Sequence, residues 1–234
     1  SIPMRTDPDE TSSLETECLF GETINILDNY LDWYYCKLLT DNYCGWVQKK
    51  YLGENIKSSH RVVSNRSYLF KDNDIKLDYI DYLPLGSQIC VSDFDDFWAK
   101  VYLGSNAKQE FAYIPRKHII KNEDKIDNWV SIAEKLLGTP YVWGGRNSIG
   151  LDCSALLQLS YQTYGENIPR NSTDQSLLSK EIIHKKAKNQ DALTIAISNN
   201  HNGKILKYGD HKIVLDTKAE VIAGSTKLNR SIFT

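Results

Sequence analysis

The sequence predicts an α+β protein in which two small β-barrels precede a domain of helices packed on an antiparallel sheet. Three observations lead there. The first half repeats itself at a constant offset, Gly21 matching Gly86 and Trp33 matching Trp98. Two later stretches, beginning near Asp127 and Cys153, carry apolar residues at helical spacing. After Leu193, short apolar runs alternate with Asn, Gly and Asp turns. Helices first and then a sheet is an α+β order.

The elements follow in turn. In the first copy, Gly21-Glu22-Thr23-Ile24-Asn25-Ile26-Leu27 leads to Asp32-Trp33 and then to Cys44-Gly45-Trp46-Val47. In the second, Gly86-Ser87-Gln88-Ile89-Cys90-Val91 leads to Phe97-Trp98 and then to Phe111-Ala112-Tyr113-Ile114. Asp28-Asn29 and Asp41-Asn42 suit turns between such short strands. Polar stretches near Lys57 and Lys121 set the boundaries, giving domains over 1–56, 57–121 and 122–234. Asp127 can cap a helix with Val130, Ala133 and Leu137 on one face and Trp129 and Leu136 alongside, ended by Gly138-Thr139-Pro140. A second helix starts at Cys153, repeats Leu156, Leu157, Tyr161 and Tyr164, and stops at Gly165; Asn171-Ser172 can cap a third. Strands are expected at 193–197, 205–208, 213–215 and 220–222.

A chain of 234 residues can bury a substantial core. A net charge of −2 argues against a nucleic-acid surface or a polybasic membrane patch. No stretch approaches the roughly 18 apolar residues that suggest a membrane span. The five cysteines, Cys18, Cys36, Cys44, Cys90 and Cys153, cannot all pair within one chain, and no His/Cys group has zinc-like spacing. No metal or cofactor is expected, and a monomer is. Scattered single thiols suit a reducing compartment, and Ser1 to Pro8 lacks the apolar core of a secretion signal. The cytoplasm is therefore expected; a signal removed before Ser1 would make the protein periplasmic or exported.

Chemistry concentrates around Cys153. A glycine-flexed loop, Tyr141-Val142-Trp143-Gly144-Gly145, runs into Leu151-Asp152-Cys153-Ser154. A cysteine in the first turn of a helix meets unpaired N–H groups and the positive end of the dipole, which favour the thiolate. That is the placement of a papain-like nucleophile. Among five histidines, His60 and His118 lie in the barrel half, His184 in a basic run and His201 in a turn-like Asn/Gly cluster. His211 heads an apolar strand just after Gly209-Asp210 and is the candidate base.

Pro140-Tyr141-Val142-Trp143-Gly144-Gly145-Arg146, then Asp152-Cys153-Ser154, then Ile168-Pro169-Arg170-Asn171-Ser172 with Gln175, resemble the NlpC family of cell-wall cysteine peptidases. The nearer resemblance is to its γ-D-glutamyl-diamino-acid endopeptidase branch, dipeptidyl-peptidase VI. The two barrels resemble the bacterial SH3-like domains that precede the catalytic domain there. The first does so through Leu19-Phe20-Gly21-Glu22 and Tyr43-Cys44-Gly45-Trp46-Val47, the second through its pattern alone.

The resemblance implies a papain-like domain with Cys153 as nucleophile and His211 as base. The substrate it implies is a murein stem peptide beginning L-Ala-γ-D-Glu-diamino acid. A carboxylate beside a thiolate opposes activation, so Asp152 needs a cation in front of it. The resemblance supplies one: Asp152 and Ser154, with Glu22 and Tyr43 from the first barrel, would hold the peptide's terminal ammonium. Glu17 is a neighbour able to replace Glu22. Tyr141, Trp143 and Arg146 would line the cleft. One departure stands out. The strand after the base would carry a third, histidine-orienting residue where this chain has Ala223. A weakened enzyme, a murein-peptide-binding protein of the same fold, and a Cys-His acyltransferase or amidase are the alternatives.

Overall fold

Short alternating segments build the first barrel. In the computed structural model, which describes residues 1–105, 107–178, 195–198, 201–202 and 204–214, it comprises β1 (Ile2–Arg5), β2 (Leu14–Cys18), β3 (Ile24–Tyr30), β4 (Trp33–Leu38) and β5 (Cys44–Gln48). Their order in the sheet is β2-β1-β5-β4-β3, with antiparallel pairing. Alternate residues turn inward, and Met4, Cys18, Cys36, Leu38 and Val47 form the small core.

The second barrel repeats this plan. It contains β6 (His60–Val62), β7 (Arg66–Phe70), β8 (Tyr79–Pro84), β9 (Gln88–Phe94), β10 (Trp98–Tyr102), β11 (Phe111–Pro115) and β12 (Ile119–Lys121). Within its sheet, β9-β10-β11-β7-β8 is the first barrel's order read from the other end, and β6 and β12 are added beyond β9. The repeated glycines keep the same role: both have positive φ, 78° at Gly21 and 84° at Gly86. A Cβ at Gly21 would sit 2.0 Å from the Gln88 carbonyl oxygen, so only glycine lets the barrels meet there.

Helices α1 (Trp129–Lys135), α2 (Cys153–Tyr164) and α3 (Ser172–Leu178) follow. The chain divides into two compact units, Ser1–Leu178 and Ser179–Thr234. Both barrels and all three helices fall in the first. One core cluster explains this: Leu19 from the first barrel and Leu85 from the second pack with Ile132, Leu136, Leu151, Ala155 and Leu159. Arg61, 2% exposed, adds a polar tie. It donates to the carbonyls of Thr163, Lys121, Asn122 and Asp124 at 2.6–2.9 Å.

Several sequence expectations are corrected. The cap of α1 is Asn128, which accepts from Val130 N, and not Asp127. Its buried residues are Ile132 and Leu136, with Trp129 stacked on Tyr161, whereas Val130 and Leu137 are exposed. Likewise α2 does not turn its leucine stripe fully inward. Leu157 is exposed, and Ser154, Gln158, Gln162 and Thr163 are buried; Asp41 and Glu22 of the first barrel offer polar partners to Gln158 and Gln162.

In the second unit, β13 (Ile195–Ser198) and β14 (His211–Val214) pair parallel, not antiparallel. The expected strand at 205–208 is replaced by a 3₁₀ turn, Lys204–Lys207, which falls within the kind of crossover that parallel neighbours require. The strand expected at 220–222 lies outside the described residues.

Candidate active site

The loop before α2 is built by short-range pairing. Tyr141 and Arg146 each bridge to Leu151. Gly145 N donates to Val142 O at 2.9 Å, and Asn147 N to Gly150 O at 3.1 Å. Gly144, at φ 74°, lies so close to β2 that a Cβ would come within 2.8 Å of Leu14 O. The loop then hands the chain to the helix through Asp152 N, which donates to Gly145 O at 3.1 Å.

Asp152 caps α2, its Oδ1 accepting from Ala155 N at 2.8 Å. Cys153 is the first helical residue and is exposed. Tyr141 stands beside it, its phenol pushed up by partial burial and by the neighbouring Cys153 and Asp152. Tyr141 and Trp143 are 62% and 57% exposed.

The cation facing Asp152 is supplied by the chain itself. Arg170 Nη1 and Nη2 donate to its two oxygens at 3.0 and 2.6 Å. Nη1 also reaches Ser154 Oγ at 2.7 Å, and Nε reaches Thr16 Oγ1 of β2 at 2.7 Å. Ser154 Oγ donates to Oδ1, and Gly144 N to Oδ2. Five donors thus meet a carboxylate with about four lone-pair sites. Asp152 and Ser154 are therefore committed to holding the helix start, a correction to their expected place against a ligand's ammonium. Arg170 lies in the Ile168-Pro169-Arg170-Asn171-Ser172 motif, which by itself assigns it no role.

Glu22 and Arg146 require a second correction. Neither is open to solvent; their side chains are 1% and 0% exposed and bind each other. Arg146 Nη1 and Nη2 meet Glu22 Oε2 and Oε1 at 2.7 and 2.8 Å. Gln162 Nε2 and Leu19 N add donors to the carboxylate. Burial pushes Glu22 up, but the Arg146 guanidinium and these hydrogen bonds outweigh it, holding the carboxyl below its usual value. Glu17 is also engaged: it accepts from Arg146 N at 2.6 Å and from Asn147 Nδ2.

The carboxylate near Tyr43 is Glu15, whose Oε2 accepts from the phenol at 2.5 Å. Burial, then this carboxylate, pushes the Tyr43 phenol well up, while nearby Arg170 opposes. The signal for Glu15 was the period of two in β2. Thr16 and Cys18 point inward, so Glu15 and Glu17 share the outer side.

His211 opens β14, as its place before an apolar run suggests, and is exposed; it belongs to the second unit. His60 and His118 serve the second barrel, their Nδ1 atoms at 2.9 Å from Ser59 Oγ and 2.7 Å from Ser67 Oγ. His184 and Ala223 lie outside the described residues.

Thiol environment yields an expected result. Cys18 and Cys36 are buried, and burial pushes Cys18 far up and Cys36 to about 11. Iodoacetamide at neutral pH should therefore label Cys153 first, read by peptide mass mapping. Equal labelling of the five would remove Cys153 as a nucleophile.

The bacterial dipeptidyl-peptidase Sh3 domain matches residues 4–52, and the NlpC/P60 family matches residues 138–230. A gamma-D-glutamyl-L-lysine dipeptidyl-peptidase of Bacillus subtilis is 23% identical over 183 residues, covering 72% of this chain and 60% of that protein. One of the same name from Bacillus cereus is 25% identical over 193 residues, covering 70% and 55%. This chain thus spans under two thirds of the length of either relative. The crystal structure of an NlpC/P60 family protein from Bacillus cereus shares the fold. Its TM-score is 0.62 at 20% identity, over 74% of this chain and 62% of that one. Residues 4–52 are thus similar to a bacterial dipeptidyl-peptidase Sh3 domain, and residues 138–230 to the NlpC/P60 family.

Proposed function

We propose that this protein is a cysteine peptidase of cell-wall stem peptides, cutting the γ-D-glutamyl-diamino-acid bond of peptides with a free N-terminal L-Ala. The observation that carries the reading is the exposed Cys153 at the start of α2, beside a carboxylate already neutralised by Arg170. The relatives' names, gamma-D-glutamyl-L-lysine dipeptidyl-peptidase, support the bond and the release of a dipeptide.

The Cys153 thiolate attacks the γ-carbonyl carbon and forms a C–S bond. Backbone N–H groups at the start of α2 stabilise the oxyanion. The tetrahedral species collapses with cleavage of the C–N bond, and His211 as base and acid delivers the thiol's proton to the departing amine. Water then hydrolyses the thioester, releasing the dipeptide and restoring the thiol. In this reading Glu15 and Tyr43 take the substrate ammonium, the role expected of Glu22. A monomeric, cytoplasmic enzyme of murein-peptide recycling or turnover fits the unpaired thiols.

Incubation with L-Ala-γ-D-Glu-diaminopimelate, and with its L-Lys counterpart, should release L-Ala-D-Glu by mass analysis. Cys153→Ala should release none. The N-acetylated peptide should be a poor substrate, because its partner carboxylate would be left without the ammonium. Binding without release by the unsubstituted protein would make it a peptide-binding protein instead.

A further inference from the structure

We infer that Glu22 is a positioning residue: through Arg146 the first barrel sets the loop that places Cys153. The inference rests on the reading of Cys153 as nucleophile.

The path is short and continuous. The Glu22–Arg146 pair is two-pronged and buried on both sides, so the guanidinium has one low-energy placement. The main chain of Arg146 is gripped as well, its N–H by Glu17 Oε2, while Nη1 also reaches Glu17 O at 3.1 Å. The next residue back, Gly145, offers the carbonyl that Asp152 N uses, and Gly144 N donates to Asp152 Oδ2. Asp152 precedes the nucleophile directly.

The same pair also fixes the far end of the helix. Gln162 Oε1 accepts from Arg146 Nη2, and its Nε2 donates to Glu22 Oε1 at 3.2 Å. Gln162 lies nine residues beyond Cys153, about 13 Å along the axis at 1.5 Å per residue. Both ends of α2 are therefore referenced to one turn of the first barrel. Leu14 against Gly144 leaves the loop no room to settle closer.

An isosteric Glu22→Gln change removes the charge and leaves the shape. The loop then keeps its contacts with Glu17 but loses its fixed register. Misplacement of a reacting group by about 1 Å can cost about 10²-fold. Glu22→Gln should lower kcat on L-Ala-γ-D-Glu-diaminopimelate by about 10- to 100-fold, with a smaller change in KM. It should also slow iodoacetamide alkylation of Cys153.

Arg146→Lys should act similarly, since an ammonium cannot grip both oxygens, and the double variant should be little worse than either single one. Val47→Ala, in the first barrel's core, should lower the thermal midpoint without changing the alkylation rate, which separates positioning from general loss of stability. If Glu22→Gln does not fold, Arg146→Lys and Glu22→Asp carry the same comparison. If no hydrolysis occurs in the unsubstituted protein, the peptidase reading fails and the alkylation rates still decide this one. Folded variants with unaltered kcat and unaltered alkylation would overturn it.

Discussion

Arg146→Met should be among the most destabilising single changes in the chain, lowering stability by about 3–5 kcal/mol. Methionine fills much of the space but leaves the Glu22 carboxylate at 1% exposure without its cation. The remaining donors, Leu19 N and Gln162 Nε2, hydrogen-bond to it but carry no full charge. For a protein of this size the thermal midpoint should fall on the order of 10 °C.

The pH dependence should change sign. In the unsubstituted protein Glu22 has a depressed folded value. Its contribution is present above the ordinary carboxylate value and is lost as pH falls through the folded one. In Arg146→Met, burial is opposed only by the Leu19 and Gln162 hydrogen bonds and raises the folded value. The deficit should then shrink as pH falls and the carboxyl protonates in place. Denaturant titrations at pH 4.5 and 7.5 measure this, and a variant losing equal stability at both would contradict the pairing.

Arg170→Gln should have the second large effect, on reactivity as well as stability. Arg170 supplies the cation for Asp152, a hydrogen bond to Ser154 Oγ, and a tie to Thr16 of β2. Its loss leaves a nearly buried carboxylate next to Cys153. Gly144 N, Ala155 N and Ser154 Oγ still donate to it, which places the stability cost toward the lower end of about 3–5 kcal/mol. A carboxylate released from its cation disfavours a neighbouring thiolate, so alkylation of Cys153 at neutral pH should slow. Asp152→Asn in the same background should restore the rate. A rate that ignores both changes would mean Asp152 does not act on the thiol.

Much of the fold was legible because local chemistry and tertiary structure agree. Gly21 and Gly86 announce a repeated turn because each requires a positive φ, and Trp33 and Trp98 mark matching strand starts. Asp152 and Gly165 bracket α2 as cap and left-handed stop. What stayed hidden depended on partners distant in sequence. The apolar spacing of Leu156, Leu157, Tyr161 and Tyr164 suggested one inward face. The helix instead buries Gln158 and Gln162 because Asp41, Glu22 and Arg146 await them.

The candidate site shows the same divide. Cys153 at a helix start and His211 at a strand start can be read locally. Whether Glu15, Glu17 or Glu22 meets the cleft cannot, because only the assembled turn shows Glu22 folding back onto Leu19 N. A basic residue in a Pro-Arg-Asn-Ser run likewise gives no hint that it answers Asp152.

The two copies of the barrel differ at one margin. In the second, β6 and β12 cover the flank beyond β9, whereas in the first the corresponding strand, β3, ends its sheet. Ile26, Leu27, Tyr30 and Leu31 are exposed along and just beyond that strand. A half-sequence lacking the second barrel and the helices would also bare Leu19 and Phe20, now covered by them. The pairing irregularity between Ile26 and Asp28, and the acid at Asp28, interrupt what would otherwise be a straight template for another chain. During synthesis the first barrel emerges with its outer strand bare and its glycine turn unmatched. Its solubility then rests on those few interrupting residues until the rest of the chain arrives.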